Sequence, residues 1–301
     1  MRDHSSLGDL YESLYVIDKI VHNLLDIFSE YQIHATWAVV GFLFHESRDE
    51  LLEYLPQNRN LYFDKSLNPY HYIENNKLLP DNFHFAKHII KDISKVPFQE
   101  IASHTYSHYY CSEPGQNEDT FRDDLNLFKE VSESYGYEVK TIVFPRNMIE
   151  NTYLPILNEF GITAYRGNPD YAMNVLQKKL KQSGRLIRFF DRYINISGHG
   201  TFQVQKCKES GLSNVQASRF LVPYDDRFKL LEFQRLKRIK KSMTYAAKNG
   251  EVFHLWWHPH NFGTNSETNL EFLKGILEHF AHLNLRYGME SNNMGEIAEM
   301  G

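Results

Sequence analysis

Strand-like and helix-like runs alternate along this chain, so the sequence predicts an α/β fold built on a parallel sheet or barrel. Two further observations agree. A length of 301 residues suits one large domain, because single α/β barrels often run to about 250 residues. Polar groups also stand directly after strand-like runs, His104, Arg146 and His258 among them. In such folds chemistry gathers where strands end.

The elements follow in order. Leu14, Ile17, Ile20, Val21, Leu24, Leu25 and Phe28 keep a helical period, which predicts a helix over 10–30. Residues 33–40 read as a strand that stops at Gly41, and 46–54 as a second helix. Residues 55–97 keep no clean period and read as an insertion with short helices. Then come a strand at 98–103, a helix at 119–135, a strand at 139–144, a helix at 152–160 and a short strand at 162–165. Residues 168–227 read as an irregular second insertion. A long helix at 228–248, a strand at 251–257 and a helix at 270–282 follow. A last short strand is expected at 285–287 and a helical turn at 294–300. With no internal repeat and no Gly-, Ser- or Pro-rich linker, residues 1–301 are expected to form one domain.

Composition narrows the function classes. Hydrophobic residues at 42% and charged residues at 24% suit a soluble globular core. The formal charge is −5 and no long basic run appears, which argues against nucleic acid as a partner. The cluster Arg235-Leu236-Lys237-Arg238-Ile239-Lys240-Lys241 is broken by apolar residues at helical spacing, so it reads as a solvated helix face. Two cysteines, Cys111 and Cys207, make no disulfide framework. No apolar run approaches 18 residues, so no membrane span is predicted. The polar opening Met1-Arg2-Asp3-His4-Ser5-Ser6 is no signal peptide, and the chain as it stands reads as cytoplasmic. Aromatics at 14% would serve to stack on sugar rings, although an aromatic core is the plainer reading.

Three segments carry chemistry. Histidines four apart occur three times, at His84/His88, His104/His108 and His254/His258, where chance alone supplies about 0.7 such pairs. On a helical turn, histidines at this spacing face one way and reach one metal ion. His104/His108 follows the run Glu100-Ile101-Ala102-Ser103 directly, which places the pair at a strand end. His84/His88 lacks that setting and reads as structural. The second segment is Phe253-His254-Leu255-Trp256-Trp257-His258-Pro259-His260-Asn261-Phe262-Gly263. Alternation along a strand turns His254, Trp256 and His258 to one face. An imidazole at the strand end, His258, suits proton donation near neutral pH, while the deeper His254 reads better as a satisfied barrel histidine. The third is Val143-Phe144-Pro145-Arg146-Asn147, where Arg146 either orients a carboxylate through paired hydrogen bonds or forms a surface salt bridge.

Together these segments resemble the polysaccharide deacetylase family, the NodB-homology domain of carbohydrate esterase family 4 type. Ile33-His34-Ala35-Thr36-Trp37-Ala38-Val39-Val40-Gly41 is similar to its Ala-Thr-Phe-Phe-x-x-Gly strand. Ser103-His104-Thr105-Tyr106-Ser107-His108 resembles its paired-histidine metal motif, the most specific of the set. Phe144-Pro145-Arg146-Asn147 is similar to its Arg-and-Pro motif with the order changed, and Leu255-Trp256-Trp257-His258 resembles its late Leu/His motif. The resemblance implies a distorted (β/α)7-type barrel and a metal-dependent hydrolase that removes N-acetyl groups from a polysaccharide or oligosaccharide. It implies a divalent metal, zinc first, held by one Asp and two His with an open position for water. Carried over, His104 and His108 are ligands, His258 is the catalytic acid and Arg146 steadies the catalytic base.

One part of the family pattern is not found. Its first strand and paired aspartates would precede the helix at 10–30, where Asp3 and Asp9 are the only carboxylates. The barrel is therefore expected to be N-terminally incomplete and its activity in this chain impaired. A non-catalytic carbohydrate-binding relic of the same barrel is the alternative.

Overall fold

In a computed structural model, residues 16–56, 62–76, 84–168, 187, 189–206 and 211–300 are described. The α-helices are α1 (Ile17–Glu30), α2 (Arg48–Glu53), α3 (Pro69–Asn75), α4 (Lys87–Lys95), α5 (Glu118–Ser134), α6 (Leu154–Glu159), α7 (Glu232–Asn249), α8 (Ser266–Tyr287) and α9 (Met294–Met300). The strands are β1 (Ala35–Val39), β2 (Gln99–Ser103), β3 (Thr141–Ile142), β4 (Ala164–Tyr165), β5 (Gln205–Lys206), β6 (Ser213–Asn214), β7 (Arg219–Phe220) and β8 (Leu255–Trp256). Two compact units result. One comprises Ile33–Gly167, Val204–Val215 and Asn292–Gly301; the other comprises Met1–Gln32, Asn168–Gln203 and Gln216–Ser291.

The first unit holds a six-stranded sheet in the order β1-β2-β3-β4-β6-β5. Every neighbouring pair is parallel except β5 with β6. The longest ladder runs from Ala35 opposite Gln99 to Val39 opposite Ser103, where β-branched and small residues fit the pleat. Helix α5 starts at a capping box, in which Asn117 accepts from the Thr120 backbone N–H and the Thr120 side chain answers. Its inner face buries Phe121, Leu125 and Phe128, and Phe121 and Leu125 share a core cluster with Ile142, Phe144, Leu157 and Leu212. The Glu100 side chain staples the unit together. It accepts from Thr36 Oγ1 at 2.6 Å, Thr141 Oγ1 at 2.6 Å and the Gly295 backbone N–H at 3.2 Å, so β1, β3 and α9 are all tied to β2.

The second unit pairs β7 with β8 in parallel beside helices α1, α7 and α8. Helix α7 ends at Gly250, whose φ of 62° supplies the left-handed cap that glycine adopts most freely. Arg235 and Arg238 are buried. Arg235 pairs with Glu232 and lies 4.0 Å above the Phe272 ring. Arg238 donates to Ser242 Oγ, Asn195 Oδ1 and the Gly198 carbonyl. These two are thus structural cations, not the solvated face expected of their cluster.

The α/β class and the parallel sheet are as predicted, while the (β/α)7-type barrel, expected to be N-terminally incomplete, is not seen as a closed barrel. Among the described residues the strands form one six-stranded and one two-stranded sheet. β1 pairs only with β2 and β5 only with β6, so the larger sheet keeps two edges. The strand expected at 285–287 is instead the last turn of α8, which stops at Gly288 with φ 67°. Leu283 is buried while Leu285 is 89% exposed; a strand would turn both to one face, whereas a helix separates them. Residues 168–227 contribute β5, β6 and β7, three two-residue strands that the sequence pattern did not reveal. Asp3, Asp9 and Cys207 lie outside the described residues, as do 10–15 of the first predicted helix. No described helix is long and apolar enough to cross a membrane.

Candidate functional site

The loop after β2 is held from three sides. The His104 backbone N–H donates to the Val39 carbonyl at 2.8 Å, while Gly41 and Phe42 donate to the carbonyls of Thr105 and Tyr106 at 2.9 and 3.1 Å. A side chain at Gly41 would collide with Tyr106, because an ideal Cβ there sits 2.7 Å from its Cα. The glycine is therefore demanded by close backbone approach. From α5, the buried Asp124 carboxylate accepts from the Tyr106 N–H at 2.6 Å, the Ser107 N–H at 3.1 Å and the Ser107 hydroxyl.

The pair His104/His108 meets, but not on a helical turn as its spacing suggested. The segment is an irregular loop with Thr105 at φ 64° and His108 at φ 59°. Two consecutive N–H groups turned to Asp124 replace the helical hydrogen bonds. The Thr105 hydroxyl donates to the His104 carbonyl at 2.6 Å and accepts from the Tyr109 N–H at 2.7 Å, which fixes the turn between the histidines. Their ring centroids lie 4.9 Å apart.

His104 is further oriented by β3. Its Nδ1 sits 2.6 Å from the Val143 carbonyl oxygen. A carbonyl only accepts, so Nδ1 carries the proton and the neutral ring's lone pair lies on Nε2. That is the tautomer and the backbone support that ligating histidines commonly have. The His108 Nδ1 lies 3.1 Å from the Tyr110 hydroxyl.

Arg146 reaches the same neighbourhood. It and Asn147 both adopt φ 53°, a left-handed turn after Pro145. The Arg146 guanidinium carbon lies 3.9 Å above the Tyr110 ring, and Nη1 lies 3.5 Å from the Glu113 carboxylate. Asn147 accepts from Arg166 at 2.6 Å, and burial pulls the Arg166 guanidinium down to about 10. The first unit thus brings together His104, His108, Tyr110 and Arg146. Sequence reasoning missed Asp124, Tyr110 and Arg166. A signal for Asp124 existed: a carboxylate set between Phe121, Leu125 and Phe128 on the apolar face of a helix.

His258 belongs to the second unit. It follows β8, with Nδ1 3.3 Å from Asn261 Oδ1 and its ring stacked on His260 at 5.1 Å. Trp256 and Phe220 flank it at 5.7 and 5.8 Å. His254 is satisfied by backbone neighbours, with Nδ1 3.1 Å from the Gln216 carbonyl and its N–H on Ser218 Oγ. His84 lies 3.1 Å from the Tyr72 hydroxyl, and His88 is exposed on α4.

Among the described residues no three His, Cys, Asp or Glu side chains converge as a metal-holding group. A catalytic zinc site commonly has three protein ligands; here two histidines meet, and the His104 tautomer leaves its lone pair on Nε2.

A family model for polysaccharide deacetylases matches residues 10–165, just over half of the 301. The chain belongs to the polysaccharide deacetylase family. The matched residues include His104, His108 and Arg146 but stop short of His258. No curated protein matches the sequence. A Mycobacterium smegmatis crystal structure named for the polysaccharide deacetylases is similar at a TM-score of 0.58 and 16% identity, covering 98% of this chain and 80% of that one. A GH57-type branching enzyme from Pyrococcus horikoshii is similar at a TM-score of 0.52 and 12% identity, covering 99% and 67%. At these identities both likenesses concern the fold alone.

Proposed function

We propose that this member of the family is a hydrolase acting on carbon–nitrogen bonds, removing N-acetyl groups from a polysaccharide or oligosaccharide. The observation that carries the reading is the His104/His108 pair, 4.9 Å between ring centroids, with the His104 Nδ1 committed to the Val143 carbonyl. These imidazoles would hold a divalent ion, zinc in first place. Such an ion, when bound, supplies Lewis acidity toward the acetamide carbonyl and lowers the pKa of water.

Two further residues are assigned roles. The Arg146 guanidinium, backed by the Tyr110 ring, is suited to holding a carboxylate as it now holds Glu113. His258, with Nδ1 toward Asn261, is suited to giving its Nε2 proton to the departing amine.

Acetate release tests the reading. Residues 1–301, supplied with zinc and N-acetylated chitooligosaccharide, are expected to liberate acetate slowly, as the missing acidic motif implies, and a non-sugar acetamide is expected to liberate far less. Oligosaccharide binding without any acetate release would favour the carbohydrate-binding relic instead.

A further inference from the structure

The second unit contains a cationic groove far along the sequence from the paired histidines. It runs along α7 with a volume near 550 Å³ and is lined by Lys237, Lys240, Lys241 and Lys248, with no acidic residue in its lining among the described residues. Lys240 and Lys241 lie three and four residues beyond Lys237, and Lys248 lies seven beyond Lys241, so one helix face carries all four. Over eleven residues the stripe extends about 16 Å. Its aromatic members are open to solvent: Tyr245 is 41% and Phe233 is 70% exposed. The Tyr245 ring is held flat against His199 at 4.4 Å and 11°.

The local field is positive beyond the lysines themselves. His199 is held below the ordinary imidazole range by burial, then by Arg238, Arg219 and Lys241. His279, on the α8 side of the groove, is held down by burial and then by the Lys240 charge. The net charge of the chain is nonetheless −5, so the stripe is a local concentration of one sign.

We infer that this groove binds an acidic polysaccharide, a sugar chain bearing carboxylates. Charge complementarity selects a polyanion, because four ammonium groups in a row meet no carboxylate in the lining. Lysine is a compact, mobile point charge and suits carboxylates whose spacing shifts as a flexible chain moves. A flat, pre-positioned tyrosine ring offers an apolar face to a pyranose. The inference rests on the polysaccharide reading for the class of polymer and adds a second contact for it, set apart in sequence from the hydrolytic residues.

The test uses the whole chain with polygalacturonate as the probe, dextran as a neutral polymer, and duplex DNA and anionic vesicles as competing polyanions. Polygalacturonate is expected to bind, more weakly as salt rises, and dextran is not. Replacing Lys237, Lys240 and Lys241 by Gln is expected to weaken polygalacturonate at least about tenfold. Tyr245→Ala is expected to weaken it with the salt dependence unchanged. A thermal melt verifies that each variant is folded. Unchanged affinity in the folded lysine variant overturns the inference, and so does tighter binding of DNA or vesicles through the same lysines. Acetate release from neutral chitooligosaccharide is followed in parallel. If release is absent but lysine-dependent polygalacturonate binding is present, the groove stands and only the deacetylase reading falls.

Discussion

Asp124→Ala is expected to destabilise the protein by about 2–6 kcal/mol, since it strands the buried N–H groups of Tyr106 and Ser107 and each unsatisfied donor costs about 1–3 kcal/mol. The same substitution frees the loop that carries His104 and His108, so metal affinity is expected to fall with it. The effect has a pH signature whose sign follows from the carboxyl. Burial raises Asp124 from 3.8 to about 6, against the hydrogen bonds from Ser107 and from the backbone of Tyr106 and Ser107, which lower it. A folded value above the unfolded one means that the contribution is fully present below about pH 4. It is lost as pH rises through about 6. The stability gap between wild type and Asp124→Ala should therefore be widest in acid and narrow toward pH 7, by up to about 3 kcal/mol. Urea titrations of both proteins between pH 4.5 and 7.5 check this. A gap that widens with pH contradicts it.

His258→Ala is expected to reduce deacetylation by roughly 10²–10⁴-fold, the usual share of a general acid, with little change in stability. The ring is half-buried at the end of β8 and stacks on His260, so its removal opens no deep cavity. Loss of the acid should also fall selectively. Substrates with good leaving groups, such as activated acetanilides, need less protonation and should retain more of their rate than the sugar amide. Equal losses on both substrates, or none on either, would shift the role elsewhere, and the stacked His260 is the next residue to replace.

Sequence patterning located the elements that make long ladders or present one apolar face, and it failed where those signals are short. β1, β2, α5 and α7 are expected from runs of five or more patterned residues, and each lies within a few residues of its predicted position. β5, β6 and β7 are two residues each, and no alternation is visible over two residues. They exist because neighbouring strands offer them partners. At 285–287 the pattern misled for another reason: Leu283, Leu285 and Tyr287 alternate as a strand would, yet α8 runs through them to Gly288.

The site was partly legible in the same sense. The histidine pair, its position after β2 and the nearby arginine were all visible. The geometry that joins the histidines was not, because the i, i+4 spacing suggested a helical turn while Asp124, sixteen residues beyond His108, dictates a loop. The Val143 carbonyl that fixes the His104 tautomer is backbone and leaves no mark in a side-chain pattern. Buried Arg235 and Arg238 were indistinguishable from their exposed lysine neighbours, since a charged residue's burial depends on partners such as Glu232, Asn195 and the Gly198 carbonyl.

The central claim is that His104 and His108 together hold a divalent ion. Isothermal titration of zinc into residues 1–301 at neutral pH tests it most directly, with wild type, His104→Ala and His108→Ala compared and the fold of each verified by thermal melting. A single zinc equivalent is expected to bind the wild type, with either substitution abolishing the heat of binding. Zinc bound by both variants as tightly as by the wild type would contradict the claim.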